Sequence, residues 1–311
     1  MCLDGRLNVV AVIAVAGVVN VETTLPVEGL PLSYEPVRYP RNLMQSRASG
    51  VGFNVAAALS SLGDDVRLVG YVGDDALGEF ASRELLTRGL TGPGLRRTSA
   101  TPQSVVLSAP DGRRSVFTDL KDLPEQIYPA EPFAVLLDGA DLAVMSTIGF
   151  ARALLAVARQ RRVPIAVDLQ AIDDANDPYL QDWLACADVV FCSDERLPVP
   201  PGRWAEMLLD RHGMELVVVG CGAAGCLLCV RGEAPRLVPA VAPWGVASTV
   251  GAGDALFAAF LHCRLAGLDP HAAIERAVLF AGCKIGHTGG GEGFLTGAEL
   301  DQLCTAPPAN G

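Results

Sequence analysis

Ser248-Thr-Val-Gly251-Ala252-Gly253-Asp254 runs directly into Ala255-Leu-Phe-Ala-Ala-Phe-Leu261, a stretch with the composition of an apolar helix. Glycines just before a helix start let backbone N–H groups turn toward one point. There the positive end of the helix dipole adds its field, and an anion can be held. An aspartate in the first turn would sit beside that anion, placed to take a proton from an attacking hydroxyl. An anion nest with an adjacent carboxylate suits phosphoryl transfer, a reaction that asks mainly for positioning and charge stabilisation. The same letters also describe an N-capping aspartate after a flexible loop, and the motif alone leaves both readings open.

Other candidates are less specific. Gly220-Cys-Gly222-Ala-Ala-Gly225 spells GxGxxG, but a second strand-like run, Cys226–Val230, follows it in place of a helix. Position 245, where a dinucleotide motif would want an acid, is glycine, so strand–turn–strand is expected and a nicotinamide-dependent oxidoreductase is disfavoured. Cys226 and Cys229 lie three apart on that run and should face opposite ways, as buried thiols and not as shared metal ligands. Asp168, at the end of the strand Val163–Leu169, holds the ligand-facing position of an open α/β sheet or simply caps the strand. His212, His262, His271 and His287 lack metal-ligand spacing and read as structural. Gly286-His-Thr-Gly-Gly-Gly-Glu-Gly293 reads as a flexible connection.

The elements that must position these groups alternate. Strands are expected at Val66–Val72, Ala143–Ser146, Val163–Leu169, Val189–Cys192 and Leu216–Val219. Helices are expected at Asn54–Leu62, Asp75–Arg88, Phe150–Arg161, Ala255–Ala266 and Ala273–Lys284. That order implies a Rossmann-like, mostly parallel central sheet with helices on both faces. The apolar, β-branched run Val9–Val19 has a signal-peptide look, yet Asp4 precedes it, and it reads better as the first buried strand. Two segments interrupt the early part: the Pro-rich residues 18–47, and residues 100–121, where Asp111-Gly112 joins two short strands as a hairpin. They are expected to pair as a small β-sheet lid over the mouth of the main sheet.

With 311 residues, half of them hydrophobic and 19% charged, the chain has ample material for a core and is not disordered. Its 24 basic and 35 acidic residues give −11, with no basic run, so neither nucleic acid nor a membrane is an expected partner. Arg159, Arg161 and Arg162 cluster where a helix end welcomes cations. Nine cysteines without framework spacing read as reduced thiols of a cytoplasmic protein.

Taken together, the chain resembles the ribokinase-like (PfkB-type) carbohydrate kinases over essentially its whole length. Thr249-Val-Gly-Ala-Gly-Asp254-Ala-Leu-Phe257 is similar to the family's DTxGAGDxF signature. Ser49-Gly50-Val-Gly52-Phe-Asn54-Val-Ala56 is similar to its glycine-rich substrate signature, and Gly63, Gly73 and Asp74-Asp75-Ala-Leu-Gly78 follow at the expected intervals. The resemblance implies one kinase domain over residues 1–311 that uses ATP and Mg²⁺ to phosphorylate a hydroxymethyl group of a small sugar or nucleoside. It implies Asp254 as catalytic base, with the amides of Gly251, Ala252 and Gly253 as anion hole. It further implies Asn20, Glu22, Gly50 and Asn54 around the acceptor, Thr249, Gly222 and Gly225 around the nucleotide, and a homodimer formed through the lid. Arg113 and Arg114 sit at the lid hairpin, open either to substrate or to solvent.

Four departures qualify the implication. Ser248 stands where the family has an Asp that helps hold a monovalent cation, which puts potassium activation in question. Ser193-Asp194-Glu195-Arg196 replaces an Asn-x-x-Glu motif that organises Mg²⁺ through water, leaving Asp194 or Glu195 as substitutes. Glu22 stands where many members carry Asp, and Val51 where ribokinases proper carry Lys. A carboxylate one methylene longer shifts a bound hydroxyl by about 1 Å, enough to change which sugar fits. Ribose itself is therefore not the expected acceptor. A catalytically degenerate member that binds a sugar or nucleotide and regulates another process is the alternative.

Overall fold

The computed structural model describes residues 10–305 apart from Asp111; Cys2, Asp4, Val9 and the first residue of the expected Asp-Gly turn thus lie outside the described residues. The strands among the described residues are, in chain order, β1 Val12–Ala16, β2 Asn20–Pro26, β3 Gln45–Ser49, β4 Asp65–Gly73, β5 Leu95–Thr98, β6 Gln103–Ser108, β7 Arg114–Asp119, β8 Leu142–Ser146, β9 Ile165–Ala171, β10 Val189–Ser193, β11 Leu216–Gly220, β12 Cys226–Val230 and β13 Arg236–Val238. The α-helices among the described residues are α1 Val51–Leu62, α2 Ala76–Thr87, α3 Ala130–Leu136, α4 Arg152–Gln160, α5 Gln181–Cys186, α6 Pro201–Arg211, α7 Ala252–Leu265, α8 Pro270–Lys284 and α9 Gly297–Thr305.

Nine strands form one sheet in the order β13-β12-β11-β10-β9-β8-β1-β4-β5. From β11 to β5 every pairing is parallel, whereas the β11–β12 and β12–β13 pairings at one side are antiparallel, so β12 is the strand that runs against the others. The signal-like apolar run is therefore the strand β1, paired on both sides as its β-branched composition requires. Two apolar layers cover the sheet. One holds Phe53 of α1 and Phe257 and Phe260 of α7; the other holds Phe133, Leu154, Trp183 and Trp204 from α3, α4, α5 and α6. Burying each such ring is worth roughly 2–3 kcal/mol. Cys226 belongs to the first layer and Cys229 to the second, so the two thiols are on opposite faces of β12.

Helices α1 and α7 are apolar nearly all round and mostly buried, which makes them interior helices packed on each other. A polar residue on either one must find a partner there. His262 does so through Asp64, at 2.9 Å between Nδ1 and Oδ2, which makes it a structural histidine. Helix α7 begins at Ala252 and not Ala255, because Gly251 at its N-cap has φ 75° and turns the chain into the helix early.

The interrupting segments form a separate four-stranded sheet, β3-β2-β6-β7. Strand β2 pairs β6 in parallel and β3 antiparallel, and β6–β7 is the expected hairpin. The Ala109 amide donates to the Arg113 carbonyl within its turn.

Candidate active site

Parallel strands of an open sheet place the loops at their carboxyl ends around one crevice. Here Asp194 and Glu195 follow β10, and Asn20 opens β2 just after β1; Asp168 lies within β9 and not at its end, because the strand runs on to Ala171. Asp254 reaches the same region from the first turn of α7. It is only 8% exposed, and its Oδ2 accepts a hydrogen bond from Asn54 Nδ2 at 2.8 Å. Burial raises its pKa above the ordinary value of 3.8, while the Asn54 bond and the charges of Lys284 and Arg114 act the other way. A buried, oriented carboxylate with a raised pKa suits proton abstraction.

Asn54 is fixed in turn. Its Oδ1 accepts from Ser49 Oγ at 3.4 Å, and the same hydroxyl lies 3.3 Å from Glu22 Oε2. Glu22 is buried, and its pKa is raised by burial and by the charge of Asp254. Gly50 caps α1 at φ 101°, where an added Cβ would lie 2.5 Å from the Val18 carbonyl oxygen. Its place in the signature thus has a steric cause within the fold. Asn20 donates through Nδ2 to Ser104 Oγ at 2.8 Å, while its buried Oδ1 has no partner. An orphaned acceptor at this place suits a ligand hydroxyl.

On the anion side, the first-turn amides of a helix have no partner within it. The Ala252 amide closes a turn on the Thr249 carbonyl at 3.2 Å, a bond that an incoming phosphate has to compete with. Gly251 cannot be replaced without displacement, since a Cβ there would lie 2.3 Å from the Gly290 carbonyl oxygen. The segment 286–293 is thus packed closely on the site, and Arg47 pairs with Glu292 to hold it.

Two cations complete the picture. Arg114 reaches from β7 toward Thr249, its Nη1 3.3 Å from Oγ1 and 3.4 Å from the carbonyl oxygen. Its Nη2 lies 3.5 Å from Glu195 Oε1, so this hairpin arginine spans the small sheet and the start of α7. Arg113 instead donates to the Leu30 carbonyl at 2.7 Å. Lys284, wholly buried, donates to the Val250 carbonyl oxygen. Burial lowers its pKa to about 8, against the upward pull of Asp254, Glu22 and Glu292. The sequence reading used Lys284 only as the end of a helix. Its signal, one charge inside the apolar stretch Ala277–Ile285, was available but named no partner.

Asp168 is buried, and its Oδ1 and Oδ2 accept from the Gln170 amide and Nε2 at 2.8 and 2.7 Å. Burial pushes it up to about 7, with the Gln170 bond opposing and the Asp254 charge adding. A carboxyl raised from 3.8 to about 7 by folding favours the native state most when it is protonated. Its contribution is whole below pH 4 or so and is lost as pH rises toward 7. Asp168→Asn is therefore expected to gain stability relative to the parent chain between those values and to hold a constant gain above them. Urea unfolding at pH 5, 6 and 8 checks this, and a gap that stays flat across the series would contradict it.

Gly222 and Gly225 form the turn between β11 and β12, which pair antiparallel. The GxGxxG letters thus bridge a hairpin, as the missing helix indicated. The turn lies beside Asp194, whose charge bears on the Cys221 thiol. Among the described residues no group of three or more His, Cys, Asp or Glu could hold a metal ion. Mg²⁺ does not need one, because it binds through one or two carboxylates together with substrate phosphates and water. Asp194 and the exposed Glu195, which lies beside Arg114, offer carboxylates that fit that demand.

A helix N-terminus, a buried carboxylate beside it and two cations near both are an arrangement able to support phosphoryl transfer. The family model for pfkB carbohydrate kinases matches residues 11–296. The acarbose 7(IV)-phosphotransferase of Actinoplanes sp. is 31% identical over 82% of this chain and 85% of its own. The ATP-dependent ribose-1-phosphate kinase of Halopiger xanaduensis is 30% identical over 93% and 95%. Among solved structures, a microbiome-derived acarbose kinase, Mak1, superimposes with a TM-score of 0.84 at 24% identity, covering 96% of this chain and 99% of that one. The chain belongs to the pfkB family of carbohydrate kinases, and its enzymatic class is that of ATP-dependent sugar or nucleoside kinases. No helix among the described residues is long and apolar enough to cross a membrane.

Proposed function

We propose that the protein transfers the γ-phosphoryl group of ATP to a hydroxymethyl group of a sugar, with Asp254 as the base. The observation that carries this reading is the buried Asp254 carboxylate, held by Asn54 in the first turn of the helix that Gly251 opens. The acceptor hydroxyl gives its proton to Asp254 as its oxygen attacks the γ-phosphorus, and the bond to the β-phosphate oxygen breaks to release ADP. The helix-end amides of Gly251 and Gly253, with Ala252 once its turn opens, and the Arg114 guanidinium meet the charge that spreads over the transferring oxygens. Asp194 or Glu195, with the phosphates, would hold Mg²⁺, which would supply charge neutralisation.

Glu22, Asn20, Gly50 and Asn54 form the acceptor side, and the small sheet serves as a lid that excludes water from the transfer. The curated relatives named above act, by their names, on acarbose and on ribose 1-phosphate, which favours a sugar over a nucleoside. An ADP-release assay with Mg²⁺, over pentoses, hexoses, sugar phosphates, oligosaccharides, 2-keto-3-deoxygluconate and nucleosides, tests the reading. Acceptor-dependent ADP with a sugar is the expected result. No stimulation by any member would leave the degenerate, ligand-binding alternative in its place.

The orphaned Asn20 Oδ1 makes a finer prediction. Asn20→Ala should raise the acceptor KM about tenfold or more, the loss expected for one buried hydrogen bond, and leave the KM for ATP within about twofold. Equal changes in both constants, in steady-state kinetics, would show that Asn20 only supports the fold.

A further inference from the structure

We propose that Lys284 is a positioning residue, a built-in cation whose bond to the Val250 carbonyl aims the Gly251 amide into the anion hole. This rests on the kinase reading given above. Lysine is almost never fully buried unless paired, and moving an ammonium out of water costs several kcal/mol. Lys284 is nonetheless 0% exposed. Three carboxylates from three elements act on it: Asp254 of α7, Glu22 of β2 and Glu292 of the segment 286–293; Arg114 of β7 opposes them. It is also the last residue of α8, where the helix dipole favours a positive charge.

The direction of its bond to the Val250 carbonyl gives this charge its use. In a planar trans peptide the C=O and the following N–H point opposite ways. The Val250 carbonyl is held by Lys284 Nζ, so the Gly251 N–H is directed away from α8. The neighbouring chain is tied to the same place, since the Ala247 and Ser248 amides donate to the Ile285 carbonyl at 2.8 and 3.1 Å. Ser248 Oγ in turn accepts from the Val250 amide at 3.3 Å. The end of α8 therefore grips the segment leading into α7 at successive points, and the ammonium is the grip nearest the anion hole.

Lys284→Met keeps an apolar stem, one atom shorter, and leaves the place of the ammonium vacant; Lys284→Gln keeps a donor, one atom short of Nζ, and removes the charge. Both are expected to lower kcat about a hundredfold, the order of effect of losing one anion-hole donor, with the acceptor KM little changed. Ammonium or potassium chloride should restore part of that loss in Lys284→Met, compared with tetramethylammonium chloride at equal ionic strength, and should not affect the parent chain. The melting temperature of Lys284→Met should show the same cation preference, a readout that needs no turnover. Wild-type kcat in both variants would overturn the proposal. So would a loss that small cations neither restore in kcat nor mirror in melting. If the parent chain phosphorylates no acceptor, the kinase reading fails, and the melting comparison still decides whether Lys284 is a replaceable cation.

Discussion

Asp254→Asn is expected to lower kcat by about a thousandfold or more, at the upper part of what general-base groups supply. The substitution keeps the shape of the side chain and can keep a hydrogen bond to Asn54, so the fold and the binding of ADP should persist. What is lost is the ability to take a proton, since a carboxamide has no basic site in this range. The parent enzyme should show the matching pH profile. The base acts when ionised, and burial raises its pKa above 3.8, so kcat/KM climbs with pH through that raised value and levels off above it. The variant's residual rate should lack that limb. Stopped assays across pH, with calorimetric ADP titration of the variant, check both parts. Full turnover in Asp254→Asn would remove Asp254 from the mechanism.

Gly251→Ala is the second substitution with a large expected effect, and it acts through the backbone. Alanine would have to hold φ 75°, a left-handed conformation that costs an L-residue about 1–2 kcal/mol. Its methyl carbon would also lie 2.3 Å from the Gly290 carbonyl oxygen, so either the turn or the segment 286–293 must move. Both line the site. A fall in kcat of about 10²–10³ is expected, as for loss of an anion-hole donor, together with a lower melting temperature. Gly253→Ala is the control, because its added Cβ meets no atom within 4 Å in this structure and its position is helical. It should melt like the parent chain. If Gly251→Ala melts like this control and keeps the kcat of the parent chain, the left-handed cap is not essential to the anion hole.

Asp254 and Asn54 were readable in the sequence because each belongs to a glycine-marked helix start, and helix starts have local grammar. The alternation of apolar runs gave the parallel sheet for the same reason: burial on both faces leaves a continuous β-branched signature. The boundaries that moved did so through backbone conformation. Helix α7 starts at Ala252 because Gly251 is left-handed, and no count of apolar residues registers that.

Arg114 was legible only as a charge open to substrate or solvent, and Lys284 not at all, for a different reason. Arg114 looks like any hairpin charge, and its reach to Thr249 and Glu195 depends on how the small sheet stands over the end of β10 and the start of α7. Lys284 looks like a basic residue ending a helix. Its bond to Val250, 34 positions away, comes from the packing of α8 on α7. Glu22 and Asn20 fall between, since their types were noticed but the orphaned Oδ1 of Asn20 appears only once Ser104 has taken the other end.

The hydrogen bond between Asn54 and Asp254 joins residues 200 positions apart, and the lysine behind the anion hole comes later still. On a ribosome, the strands and helices up to α6 can begin to pack while the chain is being made, but the proposed reaction centre has no early version. It closes only when α8 has emerged and docked, after nearly all the rest of the polypeptide has been exposed for some time. Contacts this distant in sequence are the slow ones to form. Enzyme activity should therefore be the last signal to appear during synthesis or refolding, trailing the gain of helical circular dichroism, and a stalled or C-terminally clipped chain would be structured yet silent.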